Sequence, residues 1–575
     1  MTTDVSPETV GRQADEITER LARGEQVWAE TSLAQRRELL GRLKQLTGIN
    51  ASEWVQAAAR IKQLPAESPL VGEEWTSGPW AVLSYASALA RTLERLDRGA
   101  DVLAGFPTRA TASGQLAIKV LPNTVYDRLL LNGFSAEVWM PPGMTEARVR
   151  ATAGLGARDP KQTRGVALVL GAGNIFSIAP LDTIYQLYAE NRVAVLKLNP
   201  VTNPLKPVFE KIFAPFIDLG VVEIVTGGAE IGGALAYHPR ISAVHMTGSE
   251  QTHDAIVWGP GEAGPAAKAA GARKLTKAIT SELGGVAPVI VAPGEWSAAD
   301  LRFQARHVAT QRLHNAGSNC IAAQIVIVSS DWDQKNAFLA ELRQALAGAH
   351  PRPDWYPGAD DRVRAARERH PSAAEAVGGT PARTLLTGLD LGDGAESAFE
   401  TEYFAPVLGV AELAGTGEDY LAAAVTAAND RLRGTLGANI IIHPGTRRAL
   451  GEAFERQVAA LRYGTIGINA WTGVGYLAPN ATWGAFPGHT LDDIQSGIGV
   501  VHNALLLEDP ERTVVEGPFR PAPRSLLNRE WAISPKPPWF VDNKTAATTG
   551  RLLASFEARP RWSALPGIFA SALRG

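Results

Sequence analysis

Between residue 8 and about residue 100 the apolar positions recur at helical spacing. In SLAQRRELLGRLKQL, Leu33, Leu39, Leu40, Leu43 and Leu46 fall near a 3.6-residue repeat with charged residues between them, which predicts a helical opening segment. From about 115 to 160 the pattern changes to short mixed stretches, QLAIKVLP and FSAEVWMPPG, bounded by Pro and Gly. These suit strands that pair in a hairpin, expected near 130–160, or across a subunit. From 165 onward β-branched runs alternate with amphipathic stretches: GVALVLG, APLDTIYQLYAEN, RVAVLK, PLKPVFEKIFAPFIDLG, VVEIV, AEIGGALAYH and SAVHM. Four strand candidates separated by helices of about a dozen residues imply parallel strands with right-handed crossovers, and so a doubly wound α/β sheet. A second α/β segment begins with VAPVIVA near 286 and includes AQIVIVSS at 323–330. The Ala-, Gly-, Pro- and charge-rich stretch 350–400 is expected to form surface helices and loops. The last 70 residues, with PKPPWF and ARPRWSALPG, are expected to form an extended tail packed on something else.

Composition narrows the classes. With 575 residues, 45% hydrophobic and 20% charged, the chain can bury large cores without disulfide or metal staples. Its net charge of −3 argues against nucleic-acid or membrane-surface partners, which are usually met with clustered Lys and Arg. The polar N-terminus lacks a secretory apolar stretch and no 18-residue apolar run follows, so a cytoplasmic protein is expected. The one cysteine, Cys320, excludes an internal disulfide and a cysteine-built zinc site. His307 and His314, seven residues apart on one predicted helix, stand about 10 Å apart along its axis, too far to share a metal. Both are read as structural, and no metal site is expected.

Three places could carry chemistry. GAGNIF at 171–176 follows a predicted strand, but Phe176 replaces the third glycine of a dinucleotide fingerprint, and Lys197 stands where an acidic ribose partner is expected. Glycines for a tight turn explain that stretch equally well. In HMTGSEQ, a strand runs into a helix opened by Thr247, Gly248 and Ser249, either a phosphate seat or a plain N-cap. Third, Glu282 in TSELGG precedes a Gly-Gly pair, as a capped helix end or as a carboxylate whose pKa is raised in a dry cleft. Cys320 ends NAGSNC after a loop of small residues, although a lone Cys is more often an inert buried side chain than a nucleophile.

Taken in order, GAGN, KLNP, HMTGS, SELGG, NAGSNC, EYFAPV and GTIGIN resemble the signature blocks of the aldehyde dehydrogenase superfamily over roughly residues 165 to 500. The resemblance implies an NAD(P)-dependent enzyme that oxidises an aldehyde to an acid. In it Cys320 is the nucleophile and thioester carrier, Asn174 the oxyanion residue and Glu282 the general base that activates water. It implies that Lys197 binds the adenosine ribose and that Gly248 and Ser249 seat the pyrophosphate, with Gly284 also on the cofactor side. Glu402 would hold the nicotinamide ribose, with Phe404 beside the ring.

Some positions depart from the family pattern. Pro200 stands where many NAD-using members carry a glutamate, so NADP is permitted. His253 replaces a glycine of the phosphate helix, Ala405 a glycine, Ser318 a frequent glutamine, and Val501 falls where many members carry a second glutamate. Extra residues near 258–272 and a tail beyond 505 lengthen the chain. The resemblance divides it into a helical segment and NAD(P)-binding domain (1–285), a catalytic domain (286–475) and a return segment with tail (476–575). The last of these and the hairpin are expected to build a homodimer or homotetramer. Rival readings are a CoA-acylating dehydrogenase, whose members commonly lack the Glu282 carboxylate, and a non-catalytic cofactor-binding protein of the same fold.

Overall fold

The computed structural model describes residues 6–379 and 381–575, so the first five residues of the polar N-terminus lie outside it. The opening segment is helical, with Pro7–Glu30, Leu33–Ile61 and Ala81–Asp97 as its long helices. Ser6 and Ser32 cap the first two by accepting backbone N–H groups three residues on, and Gln35 completes a capping box at Ser32. Leu39, Leu40 and Leu43 are buried, and the helix they belong to packs along Ala81–Asp97.

Among the described residues two large sheets organise the rest. The smaller runs Gly497–Ile498, Ala278–Leu283, Ile241–Gly248, Val166–Leu170, Val193–Lys197, Val222–Val225, parallel except for the first strand. All four strands expected between 165 and 246 are present. Val193–Lys197 is buried at every position, as a parallel strand covered on both faces must be. From the central strand Val166–Leu170 the chain builds outward to one side, then crosses back to Ile241–Gly248. The reversal leaves a crevice at the carboxyl ends of these two strands, where open α/β sheets take ligands.

The larger sheet has a parallel centre: Thr465–Ile468, Gly437–Ile441, Ala287–Val291, Ala323–Ser329, Val407–Leu413, Arg383–Leu389. Arg512–Glu516 adds to it beside Thr465–Ile468. Ser135–Trp139, Leu116–Leu121 and Thr108–Ala110 then extend it antiparallel. The expected hairpin therefore lies at 116–139 rather than 130–160, because the Pro-Pro-Gly after Met140 ends the second strand and Thr145 caps the helix Glu146–Thr152. The stretch 350–400 is also more than surface helix and loop. Arg383–Leu389 is a largely buried strand inside the sheet, its apolar run TLLTGL masked in sequence by its charged surroundings. The tail is only partly extended: Ala546–Ala558 and Leu565–Ala572 are helices, and the first packs on Gly72 and Trp75 in the opening segment.

Candidate active site

Cys320 is presented by an unusual turn. The helix Ala298–Leu313 ends at His314, and Asn315, Ala316 and Gly317 follow with φ of 56°, 57° and 74°. Three left-handed residues in succession fold the chain back on itself, and for Ala316 this costs about 1–3 kcal/mol. Buried charge holds the turn. The Glu73 carboxylate accepts the Asn315 N–H at 3.0 Å and pairs closely with Arg352, whose guanidinium also reaches Asn315 Oδ1 at 3.4 Å. Next to it Lys62 and Glu74, both fully buried, pair at 2.8 Å. Burial alone would raise the Glu73 carboxyl, but Arg352, His314 and Lys62 reverse this and hold it below the usual carboxylate range.

Glu282 approaches from the smaller sheet. It lies in the strand Ala278–Leu283, opposite Thr247 on one side and Gly497 on the other. Gly497 has φ 118°, and a Cβ there would fall 2.0 Å from the Ser281 carbonyl oxygen, so only glycine lets that strand close over Glu282. The carboxyl is buried beside the Cys320 thiol and the Trp483 indole, and its Oε1 has no hydrogen-bond partner among the described residues. Burial, then the nearby Asp182, pushes it up to about 7. The Cys320 thiol is itself raised well above its ordinary range by burial and by Glu282. Sulfur is thus a neutral thiol at rest, next to an acceptor that titrates near neutrality.

Behind Glu282 lies a buried polar array. Asp182 accepts the Thr247 hydroxyl at 2.9 Å and sits 3.4 Å from His245 Nε2, while His245 Nδ1 is 2.9 Å from the Thr280 hydroxyl. His502, depressed to about 4 by burial, has neither ring nitrogen paired and lies 4.4 Å from the Tyr476 ring. The Tyr476 hydroxyl donates to Ser177 Oγ at 2.7 Å, and Ser177 donates to the Ser77 carbonyl at 2.5 Å.

On the other side of sulfur, Asn174 follows the strand Val166–Leu170 and donates Nδ2–H to the Ser318 carbonyl at 3.2 Å. That bond uses one of the two N–H groups of the amide. Asn315 ties both segments, donating to the Asn174 and Ser318 carbonyls at 3.1 and 2.7 Å. The cavity at Cys320, about 30 Å³, is walled by Ile175, His314, Trp471, Tyr476, Trp483 and Trp539. His314 therefore faces the cavity instead of serving only to pack, whereas His307 stacks on Phe540. Val501 is buried opposite Trp483 and brings no second carboxylate. Among the described residues no cluster of His, Cys, Asp and Glu could hold a metal. A wider cleft of about 620 Å³ lies under the hairpin, far from this chemistry, and its charges pair with one another, Arg109 with Glu137 and Arg447 with Glu516.

Lys197 and Gly248 end strands of the smaller sheet, and Gly284 directly follows a third. Gly248 and Ser249 are exposed at the start of the helix Glu250–Val257, which Ser249 caps by accepting the Thr252 N–H at 3.2 Å. His253 is fully buried beneath that helix and does not crowd its exposed start. Lys197 ends the strand Val193–Lys197, its ammonium lowered by burial and supported by the nearby Glu230 carboxylate. Gly284 lies against Glu402: a Cβ at 284 would come within 2.0 Å of Glu402 Oε1, an oxygen with no partner among the described residues. Burial lifts the Glu402 carboxyl to about 8 despite Arg312. Phe404, at φ 48°, packs against Tyr356 with ring centroids 5.0 Å apart, and its carbonyl accepts the Ser318 hydroxyl at 3.3 Å.

Residues 155–358 match the aldehyde dehydrogenase family model. Over this stretch the chain is similar to the aldehyde dehydrogenase family. It is 28% identical over 274 residues to the D-glyceraldehyde dehydrogenase (NADP(+)) of Thermoplasma acidophilum, covering 43% of this chain and 51% of that one. The chain spans about half the length of the curated relatives it matches. The aldehyde dehydrogenase KauB from Pseudomonas aeruginosa superposes with a TM-score of 0.57 at 18% identity, over 88% of this chain and 89% of that one. An indole-3-acetaldehyde dehydrogenase in complex with NAD+ gives the same TM-score and identity, over 88% and 89%. These two likenesses extend the aldehyde dehydrogenase fold over most of the chain. The superfamily uses NAD(P)+.

Several residues at the site carry no mark in the sequence. Asp182 sits inside an apolar-looking helix, and His245 is one position of a buried strand. Glu73, Glu74 and Lys62 belong to a helical segment more than 200 residues from Cys320. One signal was available: an ionisable residue inside an otherwise apolar run, as in SIAPLDTIYQLY, needs a buried partner.

Proposed function

We propose that the protein oxidises an aldehyde to a carboxylic acid with NAD(P)+, with the thioester formed on Cys320. The observation that carries this reading is the Glu282 carboxyl, raised to about 7, beside the Cys320 thiol, with the Asn174 amide bonded to the Ser318 carbonyl two residues before that thiol. As Sγ bonds to the carbonyl carbon, the thiol proton passes to the neighbouring Glu282. The oxygen, now negative, accepts hydrogen bonds from the second Asn174 N–H and the Cys320 backbone N–H. A bound nicotinamide would supply the hydride acceptor. Glu282, its proton released, then takes one from water as the water oxygen displaces sulfur from the acyl carbon. In sum, aldehyde, NAD(P)+ and water give acid, NAD(P)H and a proton.

The residues present fit such a cofactor. Glu402 Oε1 is an orphaned acceptor over the one residue, Gly284, where a side chain would block the approach. When bound, the cofactor would have its adenosine ribose held by Lys197, its pyrophosphate by Gly248 and Ser249, and its nicotinamide ring beside Phe404. Pro200 permits NADP+, while the Glu230 carboxylate beside Lys197 works against a 2′-phosphate. A cytoplasmic setting suits a lone free cysteine, and no helix among the described residues is long and apolar enough to cross a membrane. A homodimer or homotetramer would use the free edge of Thr108–Ala110.

The test is a panel of aldehydes with NAD+ and NADP+, following absorbance of the reduced cofactor. The expected outcome is turnover with at least one pair, and for Glu282→Gln both the single-turnover burst and steady turnover slowed ~10²–10⁴-fold. Unchanged steady turnover in that variant would remove Glu282 from the mechanism.

A further inference from the structure

A second cavity, about 370 Å³, opens beside the site. It shares Thr76, Leu477 and Trp539 with the cavity at Cys320, so those three side chains form a neck between the two. Its wall draws on the opening helices with Lys44, Trp80 and Ser84, on Leu129 and Leu130 from the segment after Leu121, and on Leu553, Phe556, Ile568 and Phe569 of the tail helices. Protein interiors pack too densely to leave such a void by accident, and its volume is that of a ligand site.

The two carboxylates in the wall are engaged. Glu557 pairs with Lys44 at 3.8 Å and accepts the Ser87 hydroxyl at 2.9 Å, and Asp127 accepts the backbone N–H groups of Asn123 and Thr124 at 2.9 and 2.8 Å. Most of the remaining lining is apolar, with the cations Arg91 and Lys536 beside it. Of the apolar wall residues Val125 and Ile533 are 51% and 49% exposed, Trp562, 60% exposed, packs on Tyr126 of the wall, and Leu527 and Trp531, 80% and 78% exposed, lie just before Ile533 in the chain. Exposed apolar side chains at and beside one chamber mark the approach of something apolar.

We infer that the chamber holds the hydrocarbon chain of an unbranched, medium- to long-chain aldehyde, threaded past Trp539 so that its carbonyl carbon reaches Cys320. The inference rests on the aldehyde-oxidising reading and names its substrate class. Each methylene buried in the chamber strengthens binding about fourfold, through the apolar surface removed from water.

The experiment measures kcat/KM of the full chain from propanal to dodecanal, with the better of NAD+ and NADP+. The expected result is a rise of about fourfold per methylene until the chamber is full. Ser84→Trp, which plugs the chamber wall, should flatten that rise and leave propanal oxidation unchanged. As a readout independent of turnover, tryptophan fluorescence should report dodecan-1-ol binding at least a hundredfold tighter than butan-1-ol, and this holds even if the plugged variant fails to fold. Equal kcat/KM for propanal and dodecanal would overturn the chamber's role while leaving aldehyde oxidation intact. If no aldehyde is oxidised, the functional reading falls, and the alcohols alone decide: length-dependent binding supports the chamber, equal binding overturns it. A third outcome is self-association through the same patch. If Trp531→Asp converts a dimer to monomers in sedimentation and chain length has no effect in either form, the apolar surface belongs to a second copy and the inference fails.

Discussion

Glu282 and Cys320 reach the same cavity by opposite means. Glu282 stands on a strand hydrogen-bonded along both sides, so its place follows from regular backbone pairing. Cys320 stands after three left-handed residues, a conformation the backbone resists, and its place depends on side chains borrowed from elsewhere: Glu73 from the opening segment and Arg352 from the loop before the helix Ala359–Arg369. A ladder tolerates changes in its side chains. A turn clamped by buried ions should not.

The largest expected effect breaks that clamp. Arg352→Met leaves Glu73 charged and buried with little to compensate it, and should cost about 3–5 kcal/mol. Ile279→Val, in the strand of Glu282, should cost only about 0.5–1.5 kcal/mol. Urea unfolding midpoints compare them directly, and equal losses would erase the contrast. Next comes the bridge between the two regions. Asn174→Ala should lower kcat by ~10²–10³-fold through loss of an oxyanion donor. The hydrogen bond it gives up to the Ser318 carbonyl should lower stability by only about 1 kcal/mol. A stability loss large enough to account for the missing turnover would recast Asn174 as part of the clamp. The smallest effect sharpens the ladder side. Asp182 raises Glu282, so Asp182→Asn should move the midpoint of the kcat–pH profile below about 7, with activity persisting to lower pH because the base stays ionised there. An unmoved midpoint would uncouple the two carboxyls.

The same contrast explains what could be read from the chain in advance. The strands at 166–170, 193–197, 222–225 and 241–248 were legible because β-branched runs and helical spacing are local patterns. Cys320 and Glu282, 38 residues apart, were legible as motifs, since NAGSNC and SELGG are continuous in sequence. Arg352, Glu73 and Lys62 were not: each is one charged residue among many in helices and loops, and only burial distinguishes it. The hairpin was displaced and Arg383–Leu389 was missed for related reasons. Pro-Pro-Gly after Met140 has the look of a turn within a hairpin, and a buried strand flanked by Arg and Asp has the look of surface.

The strand Arg512–Glu516 lies between Ser135–Trp139 and Thr465–Ile468, and a ribosome makes it long after the first of these. At ~5–20 residues per second, Ser135–Trp139 waits ~20–80 s for the neighbour that completes its sheet. Throughout that interval the Ser135–Trp139 edge stands open to any other chain, joined near its end by the Thr465–Ile468 edge. Nascent protein should therefore be at its most aggregation-prone just before Arg512–Glu516 emerges, and should lean hardest on chaperones then.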